Sequence, residues 1–166
     1  MGTDKALLEV DGVPLARRVA NALRAAGADP VIAVGGDLEA LRDLGLTVVP
    51  DLHPGEGPLG AILTALAQTS ADVVVVLACD LPAADADTVR AVALALGDAD
   101  VAAPWHDGRH ELLHAAYHRR AEPLLRAAFE AGERAPHRAV ADLVVVGLEG
   151  LPATALADAD TPDDLP

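Results

Sequence analysis

Apolar positions along the chain fall into two rhythms, short and nearly continuous runs and longer stretches where they return every three or four residues. Runs of the first kind, with at most one polar residue each (Thr47, Asp100, Asp142), predict strands over 31–34, 46–49, 73–77, 100–103 and 140–146, with a short extended segment at 6–10. The other rhythm predicts helices. Leu15, Val19, Ala22, Leu23 and Ala26 share one face behind Pro14, and Gly27 ends that helix. Asp37 caps a helix to about Arg42, Pro58 opens one to about Gln68, and Asp85 begins one to Leu96. Pro123 opens another to Ala131, and the acidic tail from Asp158 to Leu165 begins a short terminal helix. Asp11-Gly12 and Asp107-Gly108 read as turns, the second joining 100–103 to a returning strand that ends at Tyr117. Residues 54–57 form a tight loop.

Strands therefore alternate with helices, and the strands are nearly continuous in apolar residues instead of apolar at every second position. Strands read this way when both faces are buried. The expected fold class is α/β, a three-layer α/β/α arrangement with a mainly parallel, Rossmann-like sheet and helices on both faces. No repeat, low-complexity stretch or linker divides the chain, so residues 1–166 are expected to form one domain.

Composition sharpens this picture. Apolar residues make up 52% of the chain but aromatic ones only 2%, so the core must be assembled from Ala, Val and Leu. The net charge of −14 opposes nucleic-acid binding, which needs a basic footprint. An anionic substrate then needs a divalent cation or local positive charge beside it. Of the 12 basic residues only Lys5 is a lysine, a compact ammonium among arginines. No charged leader precedes an apolar segment, and the longest apolar run, 73–79, is too short to span a bilayer. The single cysteine, Cys79, fits a reducing cytoplasm.

In an open α/β sheet, ligands gather at the carboxyl ends of the strands. Asp51 follows the run at 46–49 and Asp80 follows the run at 73–77. Mg²⁺ takes hard oxygen ligands, commonly one or two carboxylates with phosphate oxygens and water. Asp80 suits that role because a rigid strand precedes it and Pro82 turns the chain away. An ordinary turn or cap aspartate is the competing reading for both positions.

Four short segments, in order, carry a family resemblance. They are Gly2-Thr3-Asp4-Lys5-Ala6-Leu7-Leu8 with Gly12-Val13-Pro14-Leu15, then Pro50-Asp51 with Pro54-Gly55-Glu56-Gly57-Pro58-Leu59-Gly60. Cys79-Asp80-Leu81-Pro82 and Asp158-Ala159-Asp160-Thr161-Pro162-Asp163-Asp164-Leu165 complete the set. Together they resemble the molybdenum cofactor guanylyltransferases, enzymes of the nucleotide-diphospho-sugar transferase fold type. The resemblance implies that Lys5 contacts the nucleotide and its phosphates, that Asp51, Gly57 and Pro58 contact the nucleotide, and that Asp80 holds both Mg²⁺ and nucleotide. Asp158 or Asp160 would help position metal or substrate, where the family commonly shows asparagine. It implies transfer of GMP from GTP to the terminal phosphate of molybdopterin, with release of pyrophosphate. It further implies a cytoplasmic monomer or weak oligomer, in transient contact with proteins of molybdenum cofactor biosynthesis or molybdoenzymes.

The chemistry agrees with these residue types. A phosphate nucleophile is anionic near neutral pH, so catalysis is positioning and charge neutralisation, and no activated serine or cysteine is required. Two departures stand out. The family's chain begins with a strand and a Gly-Gly phosphate loop that would be ending at Met1, so the natural chain is expected to start upstream. Gly35-Gly36 also stands where the family often places an asparagine on the base.

Other readings remain open at this level. A cytidylyl or sugar-phosphate nucleotidyltransferase of the same superfamily, or a non-catalytic remnant of the fold, would share most of these residues. Gly55, Gly57 and Gly60 literally match the dinucleotide fingerprint, but the loop does not follow the first strand. His110-Glu111-Leu112-Leu113-His114 literally matches a zinc-hydrolase motif, which requires a helix, whereas Asp107-Gly108 predicts a hairpin there. Cys79 is expected to be a buried structural thiol, and Trp105 and Tyr117 to pack in the core rather than line a pterin pocket. His53 is assigned no role.

Overall fold

Residue types that signal helix ends in the sequence build those ends in the computed structural model, which describes residues 5–159. The fold class is α/β, and the described residues divide into two compact units. One comprises 5–50, 77–90 and 151–159, and the other 51–76 and 91–150.

In the first unit a 3-10 turn, Lys5–Leu7, leads into a hairpin of β1 (Glu9–Val10) and β2 (Val13–Pro14). Asp11 and Gly12 reverse the chain with φ of 53° and 73°, a backbone region that Asp and Gly enter most readily. Helix α1 (Leu15–Ala26) buries Leu15, Ala16, Val19, Ala20 and Ala22, and stops at Gly27, whose φ is 98°. β3 (Ile32–Val34) and β4 (Thr47–Val49) pair in parallel, joined through α2 (Leu38–Asp43). The Asp37 carboxylate accepts hydrogen bonds from the Glu39 and Ala40 amides at 3.1 Å each, capping α2 as the sequence predicts. Ala6, Ala16, Ala20, Leu41 and Leu46 form the core of this unit.

The second unit is built on a five-stranded sheet in the order β5–β8–β6–β7, with β9 also paired to β6. Its strands are β5 (Val73–Leu77), β6 (Val101–His106), β7 (Arg109–His110), β8 (His114–His118) and β9 (Val145–Leu148). β9 runs parallel to β6, whereas β7 and β8 run antiparallel to it. The reversal is imposed by Asp107 and Gly108, with φ of 48° and 78°, a two-residue turn that can only return the chain. Val101, Ala103, Ala115 and Tyr117 face a core shared with Leu59, Ile62, Leu63 and Leu66 of α3 (Pro58–Ala67), Leu125 of α5 (Glu122–Glu130) and Ala139 of α6 (Pro136–Ala139). Their neighbours Ala102 and Ala116, on the opposite face by the strand's two-residue period, are also fully buried. Both faces of β6 and β8 are therefore covered, which is why these runs contain no polar alternation. Each large apolar side chain of α3 removed from water contributes roughly 1.5–3 kcal/mol.

Helix α4 (Ala86–Ala95) is capped by Asp85, whose Oδ1 accepts from the Asp87 and Thr88 amides at 2.9 Å each. A last helical turn, α7 (Ala153–Leu156), follows β9. No described helix is long and apolar enough to cross a membrane.

Three local expectations are corrected. The strand predicted over 140–146 begins only at Val145, because Pro136 starts α6 and the Val140 amide bonds back to the Pro136 carbonyl at 3.1 Å. Pairing of Val101 with Val145 then sets where the strand lies. The returning strand is broken at 111–113, where the Glu111 carbonyl accepts from the His114 amide at 2.9 Å in a turn. The segment at 6–10 opens with a 3-10 turn, since burial of Ala6 against α1 favours a compact start. The terminal helix predicted from Asp158 falls largely on 160–166, outside the described residues.

Candidate functional site

Lys5 and Asp80 come together in the first unit. Lys5 is held in the 3-10 turn by burial of Ala6, and its Nζ stands 3.9 Å from Oδ2 of Asp80. Asp80 sits in the turn after β5, partly exposed, followed by the buried Leu81 and Pro82. Its backbone is fixed from two sides. The Asp80 carbonyl accepts from the Ala159 amide at 2.9 Å, and Arg18 donates to the Pro82 carbonyl at 3.3 Å. Arg18 also bonds the Val10 carbonyl at 2.9 Å and Asp11 Oδ2 at 3.0 Å, so one guanidinium ties the β1–β2 turn and the 80–82 turn to α1.

Asp158 precedes Ala159, so the C-terminal segment passes beside the Asp80 backbone, with Asp158 exposed. Asp160 lies outside the described residues, as do Gly2, Thr3 and Asp4. Among the described residues no group of three or more His, Cys, Asp or Glu is placed to hold a metal. Asp80 is the described carboxylate at this strand end that could hold a cation, and Mg²⁺ commonly takes one or two carboxylates together with phosphate oxygens and water.

Asp51, Gly57 and Pro58 belong to the second unit. Asp51 Oδ1 accepts from the His53 amide and from the Thr64 hydroxyl, each at 2.9 Å. Thr64 is fully buried on α3 and also accepts from the Leu52 amide at 3.1 Å. Asp51 is thus the hinge on which the 51–57 loop turns onto α3. Gly57 precedes Pro58, the first residue of α3, with a φ of 81° that side chains rarely adopt. The loop's return is braced by Arg134, whose Nε donates to Glu56 Oε2 at 2.5 Å. Residues 50–57 separate β4 from α3, a longer connection than the tight turn a dinucleotide fingerprint needs.

The helix required by the zinc reading is not formed. His110 ends β7, His114 starts β8, and Glu111 lies in the turn between them. His110 instead packs edge-on against Trp105, with ring centroids 4.7 Å apart. Trp105 is 41% exposed, which corrects the expectation of core packing, because β6 continues past the core to His106. Tyr117 is fully buried and donates to the Leu112 carbonyl at 2.6 Å, and burial pushes its phenol well above the usual range. Cys79 is exposed, contrary to expectation, because β5 ends at Leu77 and the thiol falls in the turn beyond it.

Sequence reasoning passed over Arg18, Thr64 and Arg134. Thr64 carried a signal, as the one hydroxyl inside the apolar pattern of α3. The two arginines carried none, since each acts on residues remote in the chain.

Residues 1–146 match the MobA-like NTP transferase domain family. A probable molybdenum cofactor guanylyltransferase of Pelotomaculum thermopropionicum is 40% identical over 117 residues, covering 70% of this chain and 57% of that protein. A probable molybdenum cofactor guanylyltransferase of Natronomonas pharaonis is 32% identical over 98% of this chain and 86% of its own length. The crystal structure of molybdopterin-guanine dinucleotide biosynthesis protein A from Archaeoglobus fulgidus superimposes with a TM-score of 0.75 at 26% identity, covering 96% of this chain and 86% of that one. With its α/β fold, its strand-end aspartate beside the lone lysine and these relatives, the chain belongs to the MobA-like NTP transferase domain family.

Proposed function

We propose that the chain is a Mg²⁺-dependent guanylyltransferase that moves GMP from GTP to the terminal phosphate of molybdopterin in the cytoplasm. The observation that carries this reading is the meeting of Lys5 and Asp80 at 3.9 Å in a member of this family. In the reaction a terminal phosphate oxygen of molybdopterin bonds to the α-phosphorus of GTP. The bond from that phosphorus to the bridging oxygen of the β-phosphate breaks, and pyrophosphate leaves with the electron pair.

Each residue has a defined share. The Lys5 ammonium offsets charge on the phosphates, a need made acute by the chain's net charge of −14. Asp80 is the carboxylate that would hold Mg²⁺, and the ion would supply neutralisation of phosphate oxygens and a fixed geometry for them. Asp158 and Asp160 are assigned a lesser role beside metal or substrate. The 51–58 loop, through Asp51, Gly57 and Pro58, is assigned to the nucleotide. No general base is required, because the nucleophile is already an anion.

The test is pyrophosphate release by the purified chain supplied with molybdopterin, Mg²⁺ and GTP, CTP or ATP in turn. Release with GTP, abolished by chelation, is expected. Release with CTP alone would move the chain to the cytidylyl branch, and release with none would leave a fold without the activity.

A further inference from the structure

The second unit contains a loop braced by Arg134, a residue outside those assigned to the nucleotide. Gly55 and Gly57 give the loop backbone wide freedom, with φ of 77° and 81°, and Glu56 between them is half exposed. Local bonds hold its start, the Glu56 amide to the His53 carbonyl at 3.1 Å among them, and its far side gains further order if something remote grips it. Arg134, in the connection between α5 and α6, does so. Its Nε donates to Glu56 Oε2 at 2.5 Å, while Nη1 donates to the Phe129 and Glu133 carbonyls at 2.8 Å each. Its guanidinium carbon lies 4.0 Å above the Phe129 ring centroid, and His53 of the same loop also contacts that ring, with centroids 4.6 Å apart.

Arg134 is itself fixed before it meets Glu56. The Glu133 carboxylate accepts the backbone amides of Arg134 and Ala135 at 2.8 Å each and pairs with Arg138 at 2.6 Å. Gly57 completes the fit. Its φ of 81° is one that side chains rarely adopt, and a Cβ there would meet the Cβ and the carbonyl oxygen of Arg134 at an ordinary contact distance of 3.7 Å, so the loop packs against the arginine backbone. Two carbonyls, one aromatic face and one carboxylate are thus satisfied by a single planar fork, an arrangement a lysine cannot copy.

We propose that Arg134 is a positioning residue for the nucleotide-binding loop: by gripping Glu56 it sets the 53–57 backbone before the nucleotide arrives. The inference rests on the assignment of that loop to the nucleotide. A loop ordered in advance spares the ligand the entropy of ordering it, so the benefit falls on affinity and not on the chemical step.

The experiment compares Arg134→Ala, Arg134→Lys, Glu56→Ala and the Arg134→Ala/Glu56→Ala double variant with the parent chain. Two readouts are taken: KM and kcat for GTP with Mg²⁺, and amide hydrogen exchange of the ligand-free 54–57 segment. Arg134→Ala is expected to raise KM for GTP about tenfold with kcat within about twofold, and to speed loop exchange. Arg134→Lys should not restore KM. Glu56→Ala, a change in an exposed loop that leaves the core intact, should act alike, and the double variant should be no worse than either single one. An Arg134→Ala protein with parental KM and parental loop exchange overturns the positioning role and leaves the guanylyltransferase reading intact. A loss confined to kcat also overturns it. A parent chain that neither binds nor turns over GTP overturns the guanylyltransferase reading instead.

Discussion

The ammonium of Lys5 stands 3.9 Å from Oδ2 of Asp80, although one residue belongs to the first turn described and the other follows β5. Ala6 anchors the lysine by packing on α1, and Arg18 and Ala159 anchor the aspartate's turn through the Pro82 and Asp80 carbonyls. At this separation and with both side chains partly exposed, an ion pair contributes between zero and about 1 kcal/mol to stability. Two backbone anchors for so weak a pair make sense if the pair's task is to meet a ligand. A triphosphate and its cation would then find a positive and a negative group already placed.

Asp80→Asn keeps the size of the side chain and removes its charge. Mg²⁺-dependent stabilisation of the chain by GTP should disappear, while the ligand-free stability changes by no more than about 1 kcal/mol. Thermal shift with GTP, with and without Mg²⁺, reads both quantities. An unchanged Mg²⁺-dependent shift would make Asp80 a structural residue. Lys5→Met should weaken GTP binding with and without the cation.

How much of this was legible depended on where the determining partner lay. Helix starts at Pro58 and Asp37 and the turns at Asp11-Gly12 and Asp107-Gly108 were readable because the residues that decide them are local. The place of Asp80 just beyond a strand was readable because a run of five apolar residues precedes it. The strand at β9 was misplaced because its register is set by Val101, far back in the chain, and because Val140 looks equally apolar in a helix or a strand. Arg18 and Arg134 were invisible for the same reason. Each holds carbonyls or carboxylates brought near only by folding. Trp105 and Cys79 misled because residue type predicts average burial, while their exposure follows from where β6 and β5 stop.

Glu133 should make stability depend on pH in the acid range. Arg138 and the Ala135 and Arg134 amides hold its carboxyl at about 2, down from an ordinary value of 4.5. A carboxylate depressed on folding stabilises the folded form above its unfolded value, and the contribution is lost as pH falls from about 4.5 toward 2. Urea midpoints for the parent and Glu133→Gln should therefore differ most at pH 6–7 and converge as the pH drops through that window. A gap that stays constant with pH would show that the carboxylate's charge is not what holds the α5–α6 turn.

Gly60 is required for closeness. A Cβ at this position would fall 2.8 Å from the Cβ of His53, a contact neither backbone can relieve by rotating a side chain. Gly60→Ala should push the 51–57 loop off α3 and destabilise the chain by about 1–3 kcal/mol, despite alanine's better helix propensity. Equilibrium denaturation measures the balance, and a stabilised variant would mean the loop moves at no cost. His53→Gly in the same background should recover part of the loss, since it removes the atom that clashes.

Thr64 separates the two duties of Asp51. Its buried hydroxyl donates to Asp51 Oδ1 at 2.9 Å and accepts from the Leu52 amide at 3.1 Å. Thr64→Val keeps the shape but leaves that amide and one lone pair of the carboxylate without their partner, at a cost of about 1–3 kcal/mol. If Asp51 serves the nucleotide, the loss of its orientation should also weaken GTP binding several-fold, whereas Thr64→Ser, which keeps the hydroxyl, should preserve affinity and lose only packing. Denaturation and nucleotide titration on the three proteins give the answer. Equal affinity in all three, with Thr64→Val still losing stability, would confine Asp51 to holding the loop and remove it from the nucleotide's contacts.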